Sequence, residues 1–169
     1  MNNINLENIQ KTKEAITKGE FPERKPFIAE GEWIFSEEGQ FKGTLEFPKG
    51  KITLITDQPP PSGGNGNAPN PVQYCVFAMI SCYATTFMTI AASKGVEIKK
   101  LKAKGASEVN MKSVFEVEEG PIVEKVWIEL EIESDADKNI IEEIRKEADR
   151  KCPAAFTVQN KIPFESKIV

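Results

Sequence analysis

A chain of 169 residues with a formal charge of −4 fits one domain with a substantial core, and its interspersed charges give no basic face for nucleic acid. It contains no histidine, which excludes Cys–His proteases, Ser–His–Asp hydrolases and histidine-ligated zinc sites. Its three cysteines, Cys75, Cys82 and Cys152, form no C-x-x-C pair, so no cysteine zinc site is expected either.

The opening MNNINLENIQ lacks the basic and apolar regions of a secretory signal, which makes a cytoplasmic location the expectation. Residues 4–18 place Ile4, Ile9 and Ile16 among charges and predict a short amphipathic helix ending near Gly19. Pro22 and Pro26 then prevent its continuation. From Phe27 the runs FIAEGEWIF, QFKGTLEF and KITLIT, separated by Gly39 and the Pro48–Gly50 stretch, predict a three-stranded meander over 27–56. Residues 57–70, DQPPPSGGNGNAPN, read as a mobile linker.

No charge occurs between Asp57 and Lys94, and Pro71 suits the first turn of a long helix. With apolar residues all round, that helix should be buried on most sides. Its best apolar window, Val76–Ala92, is only 17 residues long and includes Ser81, Thr85, Thr86 and Thr89. A membrane span wants about 20, so a core helix and no membrane partner are expected.

Two strands follow, within VEIKKLKAKGASEVN and PIVEKVWIELEIES. In the second, Val126, Ile128, Leu130 and Ile132 share a face. Ser134 or Asp135 is placed to cap a helix through DKNIIEEIRKEADRK, with Ile140, Ile141, Ile144 and Ala148 as its buried stripe and Pro153 as its stop. KIPFESKIV reads as a terminal strand. The order is α+β, without the regular alternation of a doubly wound sheet.

The thiols are the strongest chemical candidates, since a thiolate is both nucleophilic and oxidisable. Cys75 and Cys82 lie two helical turns apart, about 10.5 Å in rise, too far for a disulfide within an intact helix. Cys152 meets Cys82 only if their helices pack together. Free cysteine is also a common core residue, and on chemistry alone both readings stand for Cys82 and Cys152, while Cys75 reads as packing.

Three motifs in order narrow the choice: Asn70-Pro71-Val72-Gln73-Tyr74, Ala78-Met79-Ile80-Ser81-Cys82-Tyr83-Ala84 and Lys151-Cys152-Pro153. Together they resemble the OsmC/Ohr family of organic hydroperoxide reductases, over residues 27–169, with residues 1–26 as a helical extension. The resemblance implies an OsmC-like fold in an intertwined homodimer, with the two long helices central and the active sites at the subunit interface. It implies that Cys82 is the peroxidatic thiolate and Cys152 the resolving thiol. A small dithiol or lipoyl-type partner would reduce their disulfide, with no metal or organic cofactor. Tyr74, Phe77, Met79 and Phe87 would line an apolar pocket for a bulky organic hydroperoxide. The family's glutamate falls on Val72, and the first hairpin turn has no arginine, so Arg24 and Gln73 are the supporting candidates.

A thiol peroxidase is therefore the leading expectation. The alternatives are a non-enzymatic stress protein of the same fold that binds an apolar ligand, and a redox sensor that uses the same cysteine pair.

Overall fold

The computed structural model describes residues 1–169, the side chain of Ser36 apart. The chain forms two compact units, Gln10–Cys75 and a larger one of Met1–Ile9 with Val76–Val169. Helix α1 spans Leu6–Thr17, close to the expected bounds.

In the first unit, β1 (Glu30–Ser36), β2 (Gly39–Phe47) and β3 (Gly50–Thr56) form an antiparallel meander in the order β1-β2-β3. The expected meander is present. The residues after it, expected as a mobile linker, form an irregular loop that makes hydrogen bonds to the body of the same unit. Asp57 is 1% exposed, and its Oδ2 accepts the backbone N–H groups of Asn65 (3.2 Å) and Asn67 (2.9 Å). Gln40 clamps the same loop twice, accepting from Gln58 N–H and donating to the Gly63 carbonyl, each at 3.0 Å. A Cβ on Gly64 would lie 2.0 Å from the Gln58 carbonyl oxygen, so only glycine allows this close approach. Composition signalled irregular backbone, but the buried carboxylate supplies the anchor that composition does not show.

The larger unit is built on α2 (Pro71–Ser93), whose first five residues belong to the other unit. Against it lie β4 (Lys100–Val109) and β5 (Val123–Glu133), an antiparallel pair joined through a short α3 (Met111–Val114). Val126, Ile128, Leu130 and Ile132 of β5 are partly buried, while Glu129, Glu131 and Glu133 are exposed, as period-two alternation requires. Glu129, Glu131 and Glu133 pair in register with Lys104, Lys102 and Lys100, giving an outer face of opposite charges. Gly105 admits the helix to the sheet, since a Cβ there would sit 2.6 Å from Ile80 Cγ2.

Helix α4 (Lys138–Lys151) follows. Its cap is Asp137, whose side chain accepts the Asn139 N–H at 2.7 Å, and not Ser134 or Asp135. Those two are otherwise engaged, Ser134 with the Glu97 carbonyl and Asp135 with Lys99. In the predicted stripe, Ile144 and Ala148 are fully buried, Ile141 is partly so, and Ile140 is exposed. Pro153 ends α4 but also opens α5 (Pro153–Gln159) as its first residue, where its missing N–H costs nothing. No strand follows: residues 161–169 have no regular structure, and Phe164 and Ile168 are exposed.

The core of this unit gathers Tyr83, Phe87, Ile90, Ala91, Val96, Ile98, Ile144 and Ala148 around Cys152. Asn2 ties the start of the chain to it, donating to the Val96 carbonyl (2.8 Å) and accepting from Ile98 N–H (2.9 Å). Helix α2 has the length and composition of a membrane span, and a third of its most apolar stretch is buried within the chain. The expected burial on most sides holds only for its second half. Val72 and Phe77 in the first half are 39% and 65% exposed.

Candidate functional site

The N-terminus of α2 is fixed by a reciprocal capping box. Asn70 Oδ1 accepts the Gln73 N–H, and Gln73 Oε1 accepts the Asn70 N–H, both at 2.9 Å. Three turns further on, α2 presents Cys82 to the junction of α4 and α5. The sulfurs of Cys82 and Cys152 lie 3.6 Å apart, both as free thiols.

Cys152 is placed by the backbone. Its N–H closes α4 onto the Ala148 carbonyl at 2.9 Å, and its extended φ and ψ of −73° and 120° let its side chain cap α5. The sulfur accepts the Ala155 N–H at 3.5 Å. Its side chain is wholly buried, whereas Cys82 is only partly buried.

The Cys82 thiol is pushed up from its ordinary range, first by burial, and further by its neighbour Cys152. The backbone N–H of Ala154 acts in the other direction. The amides at the start of α5 thus face both sulfurs, and among the described residues no side-chain cation contributes to the Cys82 shift.

Beside the pair, Tyr83 reaches from α2 to α4. Its O–H donates to Asp149 Oδ1 at 2.6 Å. Burial first, then that carboxylate, holds the phenol well above its usual range. Asp149 Oδ2 accepts from Arg145 Nη1 at 2.6 Å. Glu142 holds the Arg145 Nε and Nη2 groups in a fork, each at 2.7 Å, and this pairing raises the guanidinium pKa and lowers that of Glu142.

These groups border a cavity of about 510 Å³ whose wall includes Met79, Tyr83, Val126, Ile128, Leu130 and Val158. Its lining is mostly apolar, with Arg145 and Asp149 on the polar side.

The sequence candidates are therefore distributed unequally. Cys82 and Cys152 come together, and Met79 lines the cavity. Phe87 is fully buried in the core, Phe77 is exposed, and neither borders the cavity. Tyr74 donates to the Ile55 carbonyl at 3.1 Å in the smaller unit. The Gln73 carboxamide serves the cap of α2, and Arg24 is exposed in an irregular segment.

Sequence reasoning missed the chain Tyr83–Asp149–Arg145 and the amides of Ala154 and Ala155. Tyr83 carried a signal, since a tyrosine in an apolar helix needs a partner for its hydroxyl.

Comparison with known proteins agrees with this architecture. The family model described as OsmC-like protein matches residues 64–167. No curated protein matches the chain. Among solved structures, an OsmC-like protein from Mycoplasma pneumoniae superposes with a TM-score of 0.59 at 19% identity, covering 80% of this chain and 88% of that one. An organic hydroperoxide resistance protein OsmC from Legionella pneumophila gives 0.57 at 16% identity, covering 82% and 92%. An OsmC-like protein of unknown function from Vibrio cholerae gives 0.57 at 15%, covering 82% and 96%. With the family model spanning more than half of its length and the fold shared with these structures, the chain belongs to the OsmC-like family.

Proposed function

We propose that this chain is a thiol-dependent peroxidase that reduces organic hydroperoxides to alcohols, with Cys82 as the peroxidatic and Cys152 as the resolving cysteine. The observation that carries the reading is the 3.6 Å contact between two free sulfurs from separate helices, one partly accessible and one wholly buried. The accessible sulfur meets the peroxide, and the buried one meets only its neighbour. The name of the Legionella protein of like fold supports the substrate class.

The Cys82 thiolate attacks the terminal oxygen of the hydroperoxide. The O–O bond breaks, the alkoxide leaves and takes a proton to become the alcohol, and Cys82 is left as a sulfenic acid. The Cys152 thiolate then attacks the Cys82 sulfur. Hydroxide departs and is protonated to water, and the Cys82–Cys152 bond forms. A dithiol or lipoyl-type reductant returns both thiols and becomes a disulfide itself.

Among the described residues the Ala154 N–H favours the Cys82 thiolate, and burial opposes it. The functional form in this reading is an intertwined homodimer in the cytoplasm, which gives the exposed Phe77 face of α2 a cover.

Peroxide consumption tests the reading. With cumene hydroperoxide and dithiothreitol, the wild-type chain should turn over rapidly, and Cys82→Ser should be inactive. Cys152→Ser should leave a sulfenic acid trappable by dimedone. Wild-type consumption no faster than that of Cys82→Ser would remove the peroxidase reading. The raised Cys82 thiol favours a second reading, a redox sensor in which the same disulfide forms slowly. Disulfide formation over minutes at stoichiometric peroxide, without turnover, would select it.

A further inference from the structure

We propose that Tyr83 and Asp149 are positioning residues for the Cys82–Cys152 pair, forming a second bridge between α2 and α4 that holds the two sulfurs in register for disulfide formation. The inference rests on reading these cysteines as a disulfide-forming pair.

Two helices packed along one line keep two soft motions, sliding along the seam and rolling about it. The contact between Cys82 and Cys152 alone fixes neither, because two thiols at 3.6 Å attract each other weakly. Tyr83 is the next residue after Cys82, about 1.5 Å along the helix axis and 100° around it. Asp149 lies three residues before Cys152, about one turn back on α4. The short Tyr83–Asp149 hydrogen bond, 2.6 Å, therefore joins the same two helices one step away from the sulfurs and in a different direction around the seam. Two bridges at different angles remove the roll that one leaves.

The bridge is suited to this task in three respects. Tyr83 is 5% exposed, so its ring is held by packing and its hydroxyl has little access to water as a substitute partner. Its acceptor is charged, and hydrogen bonds to charged groups are about twice as strong as neutral ones. Arg145 holds the other carboxylate oxygen at 2.6 Å, which fixes the acceptor on the face of α4 that meets Tyr83.

A reduced pair held in contact has a high effective concentration of one thiol for the other, which favours the disulfide over the separated thiols. Loss of the bridge lets the sulfurs separate more readily. The Cys82–Cys152 equilibrium should register this even where folding does not.

The test is a redox titration of the full chain in mixtures of oxidised and reduced dithiothreitol, with Cys75→Ser in every sample so that only two thiols titrate. In it, Cys82 and Cys152 give up two protons and two electrons and gain an S–S bond. Oxidised dithiothreitol loses its S–S bond and takes them up as the dithiol. Tyr83→Phe keeps the ring and removes only the hydroxyl, and should lower the equilibrium constant for disulfide formation about tenfold, equivalent to about 30 mV. Asp149→Ala leaves the hydroxyl only the longer contact to the Arg145 carbonyl at 3.4 Å and should lower it by most of that factor, with the double variant no lower than Tyr83→Phe alone. Asp149→Asn, which still offers a carbonyl oxygen to the phenol, should recover most of the wild-type value.

An equilibrium constant for Tyr83→Phe within twofold of wild type would overturn the proposal. So would fully additive losses in the double variant, because the two effects would then not pass through one bond. No peroxide enters the titration. A lowered constant in a chain that does not turn over hydroperoxide would therefore leave the bridge standing and remove the peroxidase. Rapid turnover with an unmoved constant would do the reverse.

Discussion

The sulfur of Cys152 accepts the backbone N–H of Ala155 at 3.5 Å, so one side chain both faces Cys82 and caps α5. Removing that sulfur should loosen the short helix. Cys152→Ala leaves the first turn of α5 without an acceptor and should cost about 1 kcal/mol, the usual value of a helix cap. Cys152→Ser keeps an acceptor at the same place. Hydrogen exchange of the Ala155 amide should therefore be faster in the alanine variant and near wild type in the serine variant. Equal protection in both would show that the contact is incidental.

The pH dependence of Cys82 follows from the direction of its shift. Burial and Cys152 push its thiol up, so its alkylation by iodoacetamide should rise with pH and reach half its limit above the ordinary thiol value. In Cys152→Ala one of the raising causes is gone, and the midpoint should move down. The linkage to stability has the opposite slope. A folded-state pKa raised above the unfolded one contributes stability in full below the unfolded value, and loses it as pH rises through the folded value. Unfolding by urea should thus become easier on the alkaline side, and less steeply so in Cys82→Ser. Peptide mass spectrometry separates Cys82 from the exposed Cys75 in the alkylation assay.

Much of this site was legible because its strongest signals are local. The apolar, uncharged stretch after Asn70-Pro71 reads as one long helix, and Cys82 sits within it. The meander was equally clear from its alternation and its turns. What failed depended on partners distant in the chain. KIPFESKIV alternates like a strand, but it pairs with no strand and has no regular structure. Pro153 signals the end of α4 in the sequence, whereas its place as the first residue of α5 shows only in the fold. Asp149 carries no signal in the sequence that sets it apart from the other charges of α4, and only the packing of α4 on α2 makes it the partner of Tyr83.

The loop from Asp57 to Asn70 should respond to Gly64 more than to its many prolines. A methyl group at position 64 would meet the Gln58 carbonyl oxygen at 2.0 Å and Asp57 Oδ1 at 2.6 Å. Backbone cannot give way as a side-chain tip can, so the loop must shift and the Asp57 bonds to Asn65 and Asn67 must lengthen. Gly64→Ala should destabilise by about 1–3 kcal/mol, the range for strain and lost buried hydrogen bonds. Gly63→Ala is a weaker control for space, since nothing lies within 4 Å of its Cβ position, though its φ of +85° brings its own strain. Limited proteolysis within 57–70 should cut Gly64→Ala first. Equal resistance in both chains would mean that the loop absorbs the methyl elsewhere.

Phe77 and Phe87 lie on one helix with opposite surroundings, 65% and 0% exposed, and their truncation separates packing within the chain from cover supplied by another copy. Phe87→Ala opens a hole in a dense core and should cost about 3–5 kcal/mol in urea unfolding at any protein concentration. Phe77→Ala removes a ring with little packing of its own, and surface substitutions usually stay within about 0.5 kcal/mol. If the chain works as the proposed homodimer, the second half of that expectation changes. The ring then lies in an apolar contact between copies, stability becomes concentration-dependent, and Phe77→Ala weakens it by mass action. Light scattering over a dilution series distinguishes the cases. A wild-type dimer that Phe77→Ala dissociates at higher concentration places this face of α2 in the interface. A dimer that is unchanged by Phe77→Ala places the interface elsewhere, and a monomer at all concentrations removes the homodimer from the proposed function.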